Sequence, residues 1–350
     1  MTSYKSSRII LDHTALINNF KRLKQEVGKL CEVAGVVKAN AYGLGTEIVI
    51  PALIEAGCNF FYVAHLEEAF EVRKLTSAPI AVLNGVPSGS ENDFVAKKFI
   101  PVLNSPDDVH AWAHGPSIWH VDTGMNRLGL GTNEFSSALA STSHLPHILM
   151  THFVASDEID NPLNAEQVRR FDDVAKSLPN TAQSICNSSG IFRHSTWHRQ
   201  QVRSGMALYG LNPTPETENP MHPVVRVETK IFQTRHAKAG ETVGYNATRS
   251  LNRDSILATV GLGYADGFLR SGSNRASLYW QGHSCPVVGR VSMDLIVVDL
   301  TDCPSPLPHA GDWLEVIGPK QSADTLATSL GTIGYEVLTS LNLRAERVTL

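Results

Sequence analysis

Eight short apolar runs, each followed by room for a loop and an amphipathic helix, fill the first two hundred or so residues and leave few folds open. The runs are Glu32–Lys38, Phe60–Ala64, Ile80–Asn84, Ile100–Leu103, Ser117–Val121, His147–Phe153, Ala182–Asn187 and Gln201–Ser204. Between them the spacing predicts helices such as Glu47–Ala56, Leu66–Leu75, Pro106–Ala113, Asn133–Ser141 and Ala165–Ser177. Alternation repeated this often favours an α/β fold with a parallel (β/α)8 TIM-type barrel over an open doubly wound sheet. The eighth run is short and is cut off by Gly205. Upstream, Ser7–Leu11 reads as a strand, and Asp12-His13-Thr14 caps a helix through Leu16, Ile17, Phe20 and Leu23.

The texture then changes. Asn212-Pro213-Thr214-Pro215 and Asn219-Pro220-Met221-His222-Pro223 make a proline-rich hinge. Beyond it, β-like runs at Val224–Phe232, Leu257–Gly261, Pro286–Val291, Leu295–Leu300 and Trp313–Ile317 are separated by Gly and Pro turns. They predict a mainly β C-terminal domain with helices at Ala323–Leu330 and Tyr335–Leu341. The expected division is a barrel over 9–220 and a β domain over 221–350, and 350 residues suffice for both.

Composition narrows the function. A net charge of −4 gives no reason to expect nucleic acid or an anionic membrane as partner. The N-terminus lacks the apolar core of a signal peptide, and no run approaches a membrane span. Five cysteines without a C-x-x-C pair are expected as reduced thiols in the cytoplasm. His110/His114 and His194/His198 have the spacing of two ligands on one helix face, but neither has a third ligand or an H-E-x-x-H pattern, so no metal is expected.

In a barrel of this kind the chemistry gathers at the C-terminal ends of the strands. Lys38, Arg127, His152, Ser188 and Arg203 all fall at or just past such ends. A lysine closing a buried strand either emerges into solvent or loses its charge, and a neutral amine is suited to forming a Schiff base. Taken singly, Arg127 reads as a surface loop residue, His152 as a core imidazole and Ser188 as a helix cap; together on one rim they read as a site. Asn187-Ser188-Ser189-Gly190 and Ser204-Gly205-Met206 add hydroxyls and backbone N–H groups where barrels often hold a phosphate. A phosphate site opposite a strand-end lysine suggests pyridoxal 5′-phosphate.

Val37-Lys38-Ala39-Asn40-Ala41-Tyr42-Gly43 resembles the pyridoxal-lysine signature of the bacterial alanine racemases. Val121–Gly129, Thr151-His152-Phe153, Arg203–Gly210, Val243-Gly244-Tyr245, Gly263–Gly267 and Gly289–Asp294 resemble further blocks of that family, in family order across nearly the whole chain. The resemblance implies the fold type III architecture, with an N-terminal strand (about 3–8) joining the β domain, and a homodimer with composite active sites acting on alanine. It implies that Lys38 carries the cofactor and that Tyr42, Ser188, Gly205 and Met206 bind its phosphate. Arg203 would face the pyridine nitrogen, while His152 would sit against the cofactor and order an Arg203/Tyr245 network. Arg127 would reach the phenolic oxygen and the substrate carboxylate. From the other subunit would come Tyr245 as second base, Met293 as a carboxylate contact, and Tyr264 and Asp294 at the entrance. Supplying D-alanine as a peptidoglycan precursor and consuming alanine as a nutrient would use the same reaction.

Two positions depart from the pattern. Many relatives carry a carbamylated lysine where this chain has His120, and an imidazole cannot reproduce an anionic carbamate. A C-terminal tyrosine near the phosphate is absent too, with Leu343 the nearest match. Two rival readings are a fold type III amino-acid decarboxylase, which usually presents an acid to the pyridine nitrogen, and a non-catalytic cofactor-binding protein, which is generally a barrel alone.

Overall fold

The computed structural model describes residues 5–341 and 344–350. It divides into two compact units, one of Ala15–Ala41 with Gly45–His222, the other of the stretch up to Thr14, Tyr42–Leu44 and Pro223–Leu350. Strand β1 (Ser7–Leu11) opens the chain and belongs to the second unit.

The first unit is an eight-stranded parallel sheet that comes close to closing as a barrel. Its strands are β2 (Glu32–Val36), β3 (Phe61–Val63), β4 (Ile80–Val82), β5 (Phe99–Leu103), β6 (Ile118–His120), β7 (Ile148–Met150), β8 (Ala182–Ser184) and β9 (Gln201–Ser204). Neighbours in sequence pair in order, and β9 returns to β2 with Ala34 opposite Arg203. The β8–β9 seam is bridged by Gln200 N–H to the Gln183 carbonyl at 3.2 Å and by Arg203 N–H to the Cys186 carbonyl at 2.9 Å. Trp119, Tyr62, Phe61, Phe94, Phe135, Phe153 and Phe171 are fully buried in this unit, and burying aromatic area of this size dominates its stability. All eight predicted strands are present, the eighth over the predicted residues. Several keep only three paired residues, so polar groups emerge immediately beyond their ends.

Two helices differ from expectation. Glu91–Lys97 buries Phe94 alone, so it has no apolar period for a sequence reading to find. The helix from Pro106 stops at Ala111, and Ser195–Trp197 is a single 3-10 turn, so neither histidine pair shares a helix face.

The second unit is built on β10 (Val225–Ala237), a 13-residue strand bulged between Ile231 and Gln233. β1 lies antiparallel to β10 and parallel to β18 (Glu346–Thr349), so an N-terminal strand does join the β domain. Of its expected span 3–8, Ser7 and Arg8 lie in β1, and residues 3 and 4 lie outside the described residues; so does Leu343. The other strands are β11 (Thr242–Val243), β12 (Arg249–Ser250), β13 (Ser255–Val260), β14 (Ser277–Trp280), β15 (His283–Pro286), β16 (Ile296–Asp299) and β17 (Trp313–Ile317). The expected strand Pro286–Val291 is not one: β15 ends at Pro286, and Val287 makes only an isolated bridge to Val298. Its valines are apolar because they are buried, while Gly289 at φ +81° turns the chain away from the ladder. Helices Ala323–Leu330 and Gly334–Ser340 match expectation. No helix among the described residues is long and apolar enough to cross a membrane.

Candidate active site

Lys38 begins an unusual turn. Ala39, Asn40, Ala41 and Tyr42 all have φ between +52° and +57°, a left-handed run that costs L-residues roughly 1–2 kcal/mol each. The barrel holds it in place. Glu68 accepts the Ala39 N–H at 2.7 Å, and Asn40 Oδ1 accepts from Thr46 N–H at 3.0 Å and from its hydroxyl at 3.3 Å. Burial first, and the Arg127 charge second, push the Lys38 pKa below its ordinary value, with Glu68 opposing.

Arg203, on β9, is 4% exposed. Its Nη1 donates to the Ser184 carbonyl at 2.8 Å and hydroxyl at 2.6 Å, and its Nη2 to the Thr151 carbonyl at 2.5 Å, with His152 Nδ1 at 3.4 Å. These carbonyls fix the guanidinium plane and leave Nε without a partner among the described residues, a donor available to a ring nitrogen. His152 is held well below the usual imidazole range by burial, then by Arg203, His120, Arg127 and Lys38. It is therefore neutral, and the positive charge of this pair resides in Arg203 alone.

Arg127 sits on a preformed turn after β6. The Asp122 carboxylate accepts the N–H groups of Gly124, Met125 and Asn126, each at 2.8 Å. The turn closes on itself through Leu130 N–H to the His120 carbonyl at 2.8 Å. A Cβ on Gly129 (φ +112°) would lie 2.8 Å from Asp122 N, so only glycine fits there. Arg127 is exposed and has no hydrogen-bond partner among the described residues.

Across the mouth, Ser188 opens the short helix Ser188–Ile191, capped by Asn187 accepting from Gly190 N–H at 3.0 Å. The N–H groups of Gly205 and Ala207 converge on Ser188 Oγ at 3.0 and 3.3 Å, with Ser204 Oγ at 3.3 Å. Backbone donors meeting at one oxygen are the arrangement that an anionic oxygen seeks. Met206 follows in the buried 3-10 turn Met206–Tyr209.

The other expected residues belong to the β unit. Tyr42 packs its ring 6.1 Å from that of Tyr335, and burial pushes its phenol pKa well up, so it stays protonated and able to donate. Tyr245 lies in the β11–β12 loop, in a turn where Gly244, Asn246 and Ala247 have positive φ. Tyr245 and Tyr264 line one hollow of about 250 Å³ with Arg270, Arg290 and Ser292. Ala265 N–H donates to the Met293 carbonyl at 2.9 Å, and a Cβ on Gly263 would lie 2.2 Å from that carbonyl oxygen. Tyr245 is 70%, Met293 53% and Tyr264 44% exposed. Asp294 is bound by Arg344 at 2.8 Å. Sequence reasoning missed Asn104, whose amide oxygen pairs with His120 Nδ1 at 2.9 Å; its place one residue past β5 was the available signal.

Comparison with known proteins converges with this geometry. The family "Alanine racemase, N-terminal domain" matches residues 11–213, and "Alanine racemase, C-terminal domain" matches 224–349. An alanine racemase of Rhodospirillum rubrum is 44% identical over 97% of this chain and 94% of its own. One from Acidiphilium cryptum is 47% identical over 91% and 92%. The crystal structure of alanine racemase from Bartonella henselae with covalently bound pyridoxal phosphate superposes with a TM-score of 0.94, at 37% identity and 99% coverage of both chains. A strand-end lysine of depressed pKa, a carbonyl-locked arginine and two backbone amides converging on Ser188 Oγ thus stand in a chain that matches one family along almost its whole length, and the chain belongs to the alanine racemase family.

Proposed function

We propose that the protein is a pyridoxal 5′-phosphate-dependent alanine racemase that interconverts L- and D-alanine by a two-base mechanism in a homodimer with composite active sites. The observation that carries the reading is the meeting, at one barrel mouth, of a Lys38 amine, its pKa lowered by burial and by Arg127, and an Arg203 whose Nε is left unpartnered among the described residues. The residues fit the cofactor, which when bound supplies an electron sink that acidifies the α-hydrogen of an attached amino acid.

Each residue then has one task. Lys38 tethers the cofactor and moves a proton at one face of the substrate Cα. Tyr245 of the partner subunit moves a proton at the opposite face. Ser188, Gly205, Met206 and Tyr42 bind the phosphate. His152 packs against the ring as a neutral imidazole. Arg203 would face the ring nitrogen; it keeps its own proton and cannot readily give one to that nitrogen, which would leave the bound group a weaker electron sink and favour racemisation over transamination. Arg127 binds the substrate carboxylate, with Met293 of the partner subunit as a further contact. Tyr264 and Asp294 of the partner subunit border the entrance.

The exposed Tyr245, Tyr264 and Met293 support the dimer, since large side chains gathered on one surface mark a contact. The same reading makes residues 9–220 the cofactor-binding barrel and 221–350, with the N-terminal strand (1–8), the β domain. Five free thiols support a place in the cytoplasm. Chiral analysis of the products from L-alanine, with borohydride trapping of the bound cofactor, tests the proposal. D-alanine together with a label on the Lys38 peptide is the expected result; an unchanged L-alanine pool or a label elsewhere contradicts it.

A further inference from the structure

His120 is buried at the end of β6, under the turn that presents Arg127, and the proposed mechanism gives it nothing to do. Its chemistry is nonetheless settled by its neighbour. Asn104 Nδ2 donates to the carbonyls of Leu83 at 3.0 Å and Val102 at 2.9 Å, and Asn104 N–H to Asp108 Oδ2 at 2.9 Å. With its amide nitrogen so committed, Asn104 must turn its oxygen to His120, and at 2.9 Å that oxygen requires a proton on Nδ1. In the neutral ring Nε2 is then a bare lone pair, with no partner among the described residues. The charged and titratable groups bearing on the imidazole are Arg203 on β9, Arg127 and Asp122 on its own turn, and His152 after β7. Burial and the two arginines outweigh Asp122 and hold the ring neutral down to about pH 4.

The Arg127 guanidinium is the complementary group. Among the described residues it has donors without acceptors. The turn that carries it is tied to the His120 carbonyl at one end, with Gly129 packed so that a Cβ would lie 3.2 Å from the imidazole. We infer that His120 is a positioning residue: with substrate bound, its Nε2 accepts a hydrogen bond from Arg127, which the two groups do not make in this structure, and so aligns the guanidinium for the substrate carboxylate, with Asn104 setting the tautomer. An uncharged acceptor orients the guanidinium without neutralising it, so the full positive charge stays available to the substrate anion. The inference rests on the carboxylate role proposed for Arg127.

Imidazole ¹⁵N spectroscopy on the holoenzyme, with steady-state kinetics of His120→Leu, His120→Gln and Arg127→Leu, tests it. The expected spectrum has Nδ1 protonated and Nε2 bare at neutral pH. His120→Leu is expected to raise KM for alanine about 10-fold, the value of one charge-assisted hydrogen bond, with kcat changed less than KM. His120→Gln, which keeps an acceptor near the Nε2 position, is expected to recover most of that loss. A proton on Nε2, or an unchanged KM in His120→Leu while Arg127→Leu raises it, overturns the inference alone. An unchanged KM in Arg127→Leu overturns the Arg127 role itself and the inference with it.

Discussion

Tyr245, Arg203 and the buried histidines each carry a consequence at the scale of a single side chain. Replacing Tyr245 by Phe removes one proton-moving group and no packing volume. Racemisation is expected to fall about 10²- to 10⁴-fold while the cofactor absorption spectrum survives; unchanged turnover in both directions contradicts the assignment. Arg203→Glu places an accepting carboxylate at the ring nitrogen, which would favour the protonated ring and a stronger electron sink. It should slow racemisation and raise pyruvate formation from alanine, and a variant without that gain counts against the weak-sink argument. His120 and His152 are neutral in the folded chain, His120 down to about 4 against 6.5 for the free group. Both take up a proton on unfolding, so between those values the unfolded state binds more protons and stability rises with pH. The His120 share is about 3 kcal/mol lost as pH falls from 6.5 to 4. Denaturant titrations across that window should show it, with a shallower fall in His120→Gln.

The left-handed Lys38–Tyr42 turn is the element on which the site depends. Asn40→Ala removes two hydrogen bonds that hold it and should cost about 1–3 kcal/mol in denaturant unfolding, together with weakened cofactor retention in dialysis; a variant of full stability contradicts this account. That turn was not legible in the sequence. Nothing in Ala39-Asn40-Ala41 favours positive φ except Asn40, and the conformation is imposed by Glu68 and Thr46 from elsewhere in the barrel. The barrel strands were legible because their apolar runs are short, valine-rich and regularly spaced. Glu91–Lys97 escaped because it buries one side chain, and Pro286–Val291 misled because buried valines serve a core as readily as a ladder. The β14–β15 hairpin was missed although Gln281 and Gly282, both at positive φ, form the two-residue turn that such hairpins use. Of the site, the charged strand-end residues could be read from position alone. The Asn104–His120 pairing could not, since it joins residues 16 apart through the barrel's curvature.

At the scale of the whole molecule, the two proposed bases lie in different compact units, Lys38 in the barrel and Tyr245 in the β unit. The proposal joins them across subunits: each complete site takes its lysine from one chain and its phenol from the other. Mixing inactive Lys38→Ala chains with inactive Tyr245→Phe chains, then unfolding and refolding them together, measures this directly. Half the reassembled dimers should be hybrids with one intact site each, restoring roughly a quarter of wild-type racemase activity. A mixture that forms hybrid dimers and remains inactive would contradict the composite site.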